Sequence, residues 1–217
     1  MGAVLLLSSA PVACAQSRFG RPILKPVEPA KYELRTADDL RAPLLAAKGY
    51  AASCLAYHDP ARLYVEVWIS NRSQGEIEIP NDFINAENAG GTLVRTNTTK
   101  AADEIEAASV RPFVPAATGK DPRTNEPVYD RAETDRQAAR HIEQQERENT
   151  FAGLLLALAQ ENAAGALTPG RDRVIACTFE RLNDPESPVT IRVRLRGEVL
   201  VFVLKDSTAR KKGGEAQ

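Results

Sequence analysis

The sequence predicts a mainly β protein, an antiparallel β-sandwich that carries a long loop and a helical insertion. Short segments alternate apolar and polar side chains with a period of two, which places one face of a strand on a core. Turn-forming Gly, Pro and Asn residues separate these segments. Between two such groups of strands, residues 100–163 lose the alternation and gain charge and helix-forming residues, which predicts the insertion.

The first group of predicted strands lies before residue 100. Residues 31–35 and 49–58 are candidate strands, and the clearest strand is 63–70. Its odd positions are all aliphatic, whereas its even positions include Tyr64 and Trp68. We therefore expect the aliphatic face to lie on the core and the opposite face to need a cover of its own.

The middle of the chain predicts a loop followed by a solvated helix. Residues 100–129 contain four prolines and a glycine without alternation, which is typical of a long surface loop. Residues 130–148 mix acidic and basic side chains at helical spacing, with Glu143 and Arg147 four residues apart. Such pairs stabilise a helix exposed to water.

Residues 151–159 differ from the charged segment before them, because nearly all of their side chains are apolar. A helical turn of this composition must be covered by protein. We expect it either to cover the face of the sheet that carries Tyr64 and Trp68 or to meet a partner chain. Leu155 and Leu158 are the candidate contact residues, and an interaction surface at these leucines is the second possibility.

The last third of the chain predicts strands at 172–180, 188–195 and 198–204. The segment 198–204 is apolar on both faces, so we expect it to be central or covered. Three arginines follow one another at a period of two, with Lys205 near them in sequence, and they are Arg192, Arg194 and Arg196. This stripe would suit an acidic partner, and the alternative is an ordinary solvated sheet face.

The N-terminus predicts export to the periplasm or outer cell envelope. Residues 4–13 are apolar or small, and Ala13-Cys14-Ala15 is a small-x-small step, so residues 1–15 resemble a secretory signal peptide. A buried N-terminal strand or helix is one alternative, and a lipid anchor on Cys14 is another. The apolar run is too short to span a bilayer, so no transmembrane segment is expected.

The rest of the chain divides into a tether, one domain and a tail. Residues 16–30 hold three prolines and predict a tether, residues 31–205 predict a single domain, and residues 206–217 predict a disordered tail. Cys54 and Cys177 both lie in predicted strands. In an oxidising compartment an even pair predicts a disulfide, and the alternative is two buried thiols.

A family resemblance supports the same fold class. The segments YVEVWISNRSQGEIEIPNDF at 64–83 and LTPGRDRVIACTFE at 167–180 resemble the small immunoglobulin-like domains of exported bacterial proteins of unknown function. The matching residues are Asn71, Ser73, Pro80, Phe83, Pro169, Gly170 and Phe179. The resemblance covers about half of the chain. It implies an immunoglobulin-like sandwich and export, and it implies no active site.

Composition argues against several classes of function. With 28 basic and 29 acidic side chains, the formal net charge of −1 provides no field to attract nucleic acid. Two histidines and three cysteines supply few ligands for a metal, and we expect no cofactor. Cys54 and His58 would lie about 13 Å apart along a strand, too far for a catalytic hydrogen bond.

These observations favour a non-enzymatic binding or assembly module of the bacterial cell envelope, with a protein partner. The alternative is a structural accessory domain that stabilises a larger envelope complex, and an enzyme is the remaining class.

Overall fold

The computed structural model describes residues 17–37, 40–89, 91–159 and 165–207. The predicted signal peptide and the predicted tail beyond Ser207 lie outside the described residues. Two α-helices, α1 (Thr98–Ser109) and α2 (Arg131–Leu158), and a short 3-10 helix at Pro29–Lys31 accompany the strands. In chain order the strands are β1 (Ser17–Arg18), β2 (Arg21–Pro22), β3 (Leu24–Pro26), β4 (Glu33–Ala37), β5 (Leu40–Ala47), β6 (Tyr50–His58), β7 (Arg62–Asn71), β8 (Ile77–Ile79), β9 (Ile84–Asn88), β10 (Gly91–Thr92), β11 (Arg95–Thr96), β12 (Gly119–Lys120), β13 (Pro127–Val128), β14 (Gly165–Leu167), β15 (Asp172–Glu180), β16 (Val189–Leu195) and β17 (Glu198–Asp206).

Two antiparallel sheets form the body of the protein. One has the strand order β10-β9-β16-β17-β3, and the other has the order β11-β15-β7-β6-β5-β4. Side chains from the inner faces of both sheets share one hydrophobic core, and among them are Tyr50, Val65, Val67, Ile84, Ile191 and Phe202. The structure thus confirms a mainly β fold in which antiparallel sheets pack face to face, as in a β-sandwich.

The strand order does not reproduce the immunoglobulin arrangement that the resemblance implied. Four consecutive strands, β4 to β7, are neighbours in one sheet and form a meander. The constant-type immunoglobulin order places ABED on one sheet and CFG on the other, which contains no such run. The layers are therefore those of a sandwich, whereas the connections are different.

The alternation in β7 has the predicted consequence. Leu63, Val65, Val67 and Ile69 are fully buried in the core between the sheets. The side chains of Tyr64, Glu66 and Trp68 point to the outer face of the six-stranded sheet. A second, smaller core covers part of this outer face, and it joins Tyr57 and Tyr64 to Phe151 and Leu155 of α2.

The predicted loop at 100–129 begins with a helix instead. The Asn97 side chain accepts a hydrogen bond from the Lys100 N–H and caps α1. Ala101, Ala102 and Ile105 are buried at helical spacing. All four prolines lie beyond the end of α1, so they do not prevent it. The rest of the segment is irregular except for the short hairpin that β12 and β13 form.

A single continuous helix, α2, replaces the solvated helix and the separate apolar turn. It begins at Arg131, where Asp130 accepts a hydrogen bond from the Glu133 N–H, and it ends at Leu158. Its charged first part is solvated as predicted. Phe151, Ala152 and Leu155 near its end are buried against the six-stranded sheet, so the apolar turn packs on its own chain.

The predicted tether at 16–30 is wrong for the described residues 17–30. Ile23 belongs to the smaller core, Leu24 belongs to the larger one, and β3 pairs with β17 at the edge of the five-stranded sheet. Proline is tolerated in short edge strands because its missing N–H is not needed there. At the other end, β17 continues to Asp206, which is buried, so the predicted tail begins too early.

Candidate functional site

Cys54 and Cys177 are not joined by a disulfide. Cys54 lies in β6 opposite Val67, and Cys177 lies in β15 opposite Val65, so the whole width of β7 separates the two cysteines. Two strands on either side of a third are about 9–10 Å apart, whereas a disulfide requires Cα atoms within about 7 Å. Burial raises the pKa of the Cys54 thiol well above its ordinary value, so it remains protonated.

Cys54 and His58, which the sequence places too far apart for a catalytic pair, have different surroundings in the structure. Cys54 is fully buried in the core, whereas the Nε2 atom of His58 lies 3.2 Å from a carboxylate oxygen of Asp206 in β17. His58 therefore connects the two sheets at the C-terminal ends of β6 and β17. In the described part of the chain, no group of three or more His, Cys, Asp or Glu residues is placed to hold a metal ion.

The outer face of the five-stranded sheet carries the predicted arginine stripe. Arg192 and Arg194 lie in β16 on the side away from the core, and Arg192 forms an ion pair with Glu87 of β9. Arg196 leaves the stripe, because it occupies a two-residue turn with Gly197 in which both residues have positive φ. This is the usual geometry of a tight hairpin between twisted strands.

Val199, Val201 and Val203 of β17 run beside the arginines on the same outer face. The antiparallel register places Val199 opposite Arg194 and Val201 opposite Arg192. The exposed fractions of Val199 and Val201 are 46% and 39%, and the pairing of β17 with β3 begins only at Leu204, beyond both valines. We call this surface the bare face, and its members are Glu87, Thr190, Arg192, Arg194, Val199, Val201, Val203 and Lys205.

The bare face contradicts one expectation from the sequence. Residues 198–204 are apolar on both faces and were expected to be central or covered, whereas in the structure no described element packs on their outer side. The apolar signal was present in the sequence. Its interpretation was wrong because the position of β17 depends on the distant partners β16 and β3, which periodicity does not reveal.

The opposite outer face, on the six-stranded sheet, is partly covered by α1 and α2. Arg21 fixes α2 there, since its guanidinium bonds to Asp59 at 3.1 Å and to Glu148 of α2 at 2.8 Å. The same guanidinium lies 4.1 Å from the ring centroid of Phe151. A partly buried ion pair combined with a cation–π contact fixes the angle at which the helix meets the sheet.

The two candidate leucines have different environments. Leu155 is fully buried in the smaller core, so it is not available to a partner chain. Leu158 is half-buried and lines a cavity next to Trp68. Of the surfaces predicted from the sequence, the arginine stripe is therefore the one that the structure leaves exposed. Arg196 is not part of it, and the valines of β17 extend it.

Comparison of the chain with known protein families, with curated proteins and with solved structures finds no match. None of the helices described is long and apolar enough to cross a membrane. A functional argument for this protein therefore depends on its own surfaces.

Proposed function

We propose that this protein is a non-enzymatic binding module of the bacterial cell envelope and that the bare face holds its partner protein. The observation that carries the proposal is that helices pack on the outer face of one sheet, whereas no described element packs on the outer face of the other. Two helices cover part of the outer face of the six-stranded sheet, whereas the five-stranded sheet presents Val199 and Val201 to solvent. Apolar side chains that lie exposed beside one another on a protein surface often mark a site of protein–protein interaction.

The charges on the bare face indicate the chemistry of the partner. Arg192 is neutralised by Glu87, whereas Arg194 and Lys205 are exposed on the same side of the sheet. A partner surface with an apolar centre and acidic groups at its rim would complement this pattern. The signal-like sequence at residues 1–15 supports a location in the envelope.

Site-specific photocrosslinking in cells tests the proposal. A photoreactive amino acid replaces Val201 in one variant and Val114 in the control variant. Val114 is 80% exposed and lies between the two helices, far in sequence from the bare face. We expect a crosslinked product of discrete mass from position 201 and none from position 114. Adding Arg194→Glu should reduce the yield at position 201, because it reverses the charge that faces the partner.

Stability measurements separate loss of binding from loss of folding. Arg194→Glu alters an exposed side chain, so the free energy of unfolding should change by no more than about 0.5 kcal/mol. Failure to obtain a product from position 201 in the envelope would contradict the proposal, as would equal yields from positions 201 and 114.

A further inference from the structure

A cavity of about 360 Å³ opens on the outer face of the six-stranded sheet, on the opposite side of the molecule from the bare face. It lies where α2 ends and the sheet continues uncovered towards β4. Its volume falls within the range of small-molecule sites, which is about 300–1,000 Å³. The bare face contributes none of its lining residues.

The register of the sheet explains why there is a hollow here. Ala42 of β5 and Ser53 of β6 are small residues that line the cavity from two neighbouring strands, and they lie diagonally because Ser53 pairs with Leu44. Large side chains flank these two residues, because Arg35 of β4 pairs with Ala42 and Trp68 of β7 pairs with Ser53. The Arg35 guanidinium reaches to 4.3 Å from the Trp68 ring and so bridges the space above the small residues.

One buried polar group in the cavity has no partner. The Ser53 side chain lines the cavity and is 2% exposed, yet its hydroxyl makes no hydrogen bond to any described residue. Buried hydroxyl groups in folded proteins are nearly always hydrogen-bonded, because leaving one unpaired costs its full desolvation. The Ser53 hydroxyl therefore marks a position where a ligand atom that accepts a hydrogen bond would be stabilised.

The charge of the cavity favours an anion. Arg18 and Glu66 neutralise each other through two hydrogen bonds of 2.8 and 2.9 Å, and the Tyr57 hydroxyl donates a further bond to Glu66 at 2.6 Å. Arg35, in contrast, has no carboxylate within ion-pair distance among the described residues. Among the residues that the structure describes, one positive charge is thus left for a ligand, next to an aromatic ring and an unpaired hydroxyl.

The remaining wall of the cavity is apolar. Leu55 lies on the sheet, and Leu154 and Leu158 approach from the last turns of α2. From these observations we propose that the cavity binds a small amphipathic monocarboxylate. Its carboxylate accepts hydrogen bonds from Arg35 and Ser53, and its hydrocarbon body packs against the leucines and the Trp68 ring.

Trp68 is the only tryptophan of the chain, so its fluorescence reports on the cavity directly. The experiment titrates the full chain with sodium octanoate and, separately, with 1-octanol, which has the same chain length and no charge. We expect a saturable change in Trp68 emission with octanoate and at least tenfold weaker binding of octanol. Isothermal titration calorimetry of the same samples provides a signal that does not depend on Trp68.

Two substitutions test the roles of the polar residues. Arg35→Gln removes the charge that faces the carboxylate, and we expect it to weaken octanoate binding at least tenfold. Ser53→Ala removes the hydroxyl without adding bulk and should weaken binding about threefold to tenfold. Arg41→Gln is the matched control, because Arg41 is exposed, lies next to Ala42 in β5 and is not part of the cavity.

Three results would overturn the proposal. These are the absence of saturable octanoate binding, equal affinity for octanol and octanoate, and an equal loss of affinity in Arg35→Gln and Arg41→Gln. Crosslinking at Val201 tests the opposite side of the molecule and uses none of these residues. The two proposals can therefore fail independently.

Discussion

Asp59 lies at the point where the turn between β6 and β7 meets the N-terminal segment. Burial on its own would raise the pKa of this carboxyl group. Hydrogen bonds from the Tyr64 hydroxyl, the Ala61 N–H and the Arg21 guanidinium outweigh burial and lower the pKa below its ordinary value of 3.8. The charged form of Asp59 is therefore the form that stabilises the fold.

This shift predicts how stability depends on pH. Since the pKa of Asp59 is lower in the folded protein, its stabilising contribution is complete above about pH 4 and is lost as the pH falls through the lowered pKa. Asp59→Asn should reduce the free energy of unfolding at pH 7 by about 1.5–3 kcal/mol, the range for hydrogen bonds to a charged group. Below pH 4 the difference between the variant and the parent should shrink.

Chemical denaturation at a series of pH values measures both effects. Asp82→Asn is the control, because Asp82 is exposed and should leave the curve unchanged. A constant difference between Asp59→Asn and the parent from pH 7 to pH 2 would show that the Asp59 charge contributes nothing.

At the scale of elements, the pattern within a segment predicts only the features that residues close together in sequence determine. The period of two in β7 identified which side chains face the core, and the apolar run at 151–159 identified a surface that must be buried. Helix α1 was missed, although Asn97 is a good N-cap and Ala101, Ala102 and Ile105 repeat at helical spacing. The four prolines that follow α1 favour a loop for the whole segment, although the helical spacing before them indicates a helix.

The N-terminal segment could not be predicted in the same way. Leu24 is buried because β3 pairs with β17, about 180 residues later in the chain. Local sequence patterns do not indicate such a pairing, and the prolines around Leu24 are typical of a linker. The same limit applies to Ser53 and Trp68, whose cavity depends on the order of four strands and on the end of α2.

The contact between α2 and the sheet makes a prediction about a single leucine. Leu155 is fully buried against Tyr57 and Tyr64, and truncation of a buried leucine to alanine typically costs about 2–5 kcal/mol. Leu155→Ala should lower the free energy of unfolding by that amount in urea denaturation. The adjacent Leu156 is 44% exposed, so Leu156→Ala should cost no more than about 0.5 kcal/mol.

Equal effects of Leu155→Ala and Leu156→Ala would contradict this packing. The pair is well matched, because both substitutions remove the same atoms from the same turn of the same helix. Any difference between them therefore measures burial and not helix propensity.

At the scale of the whole molecule, the two cores differ in size and in what they hold together. The core between the sheets contains 26 buried residues of the described chain, whereas the core beneath the helices contains nine. The six-stranded sheet contributes to both, through opposite faces. Composition and alternation predicted a sandwich, but they did not predict which outer face would receive the helices and which would stay open.

This inequality predicts that the helical layer opens before the sandwich does. Fewer buried side chains hold α1 and α2 to the sheet, so their amides should exchange through partial opening at a lower free energy than those of β7 and β16. Native-state hydrogen exchange at increasing denaturant measures these free energies. Leu155→Ala should reduce protection in α2 and leave β16 and β17 nearly unchanged.

Ile191→Ala is the counterpart, because Ile191 is fully buried in the larger core. It should reduce protection in β16 and in α2 together, because both sheets share the larger core, and the helices cannot remain docked when the six-stranded sheet loses that core. One common opening free energy for α2 and β16 in the parent protein would contradict the prediction and show a single cooperative unit. A separate opening of the helices would also expose the outer face that carries Trp68, while the bare face kept its geometry for a partner.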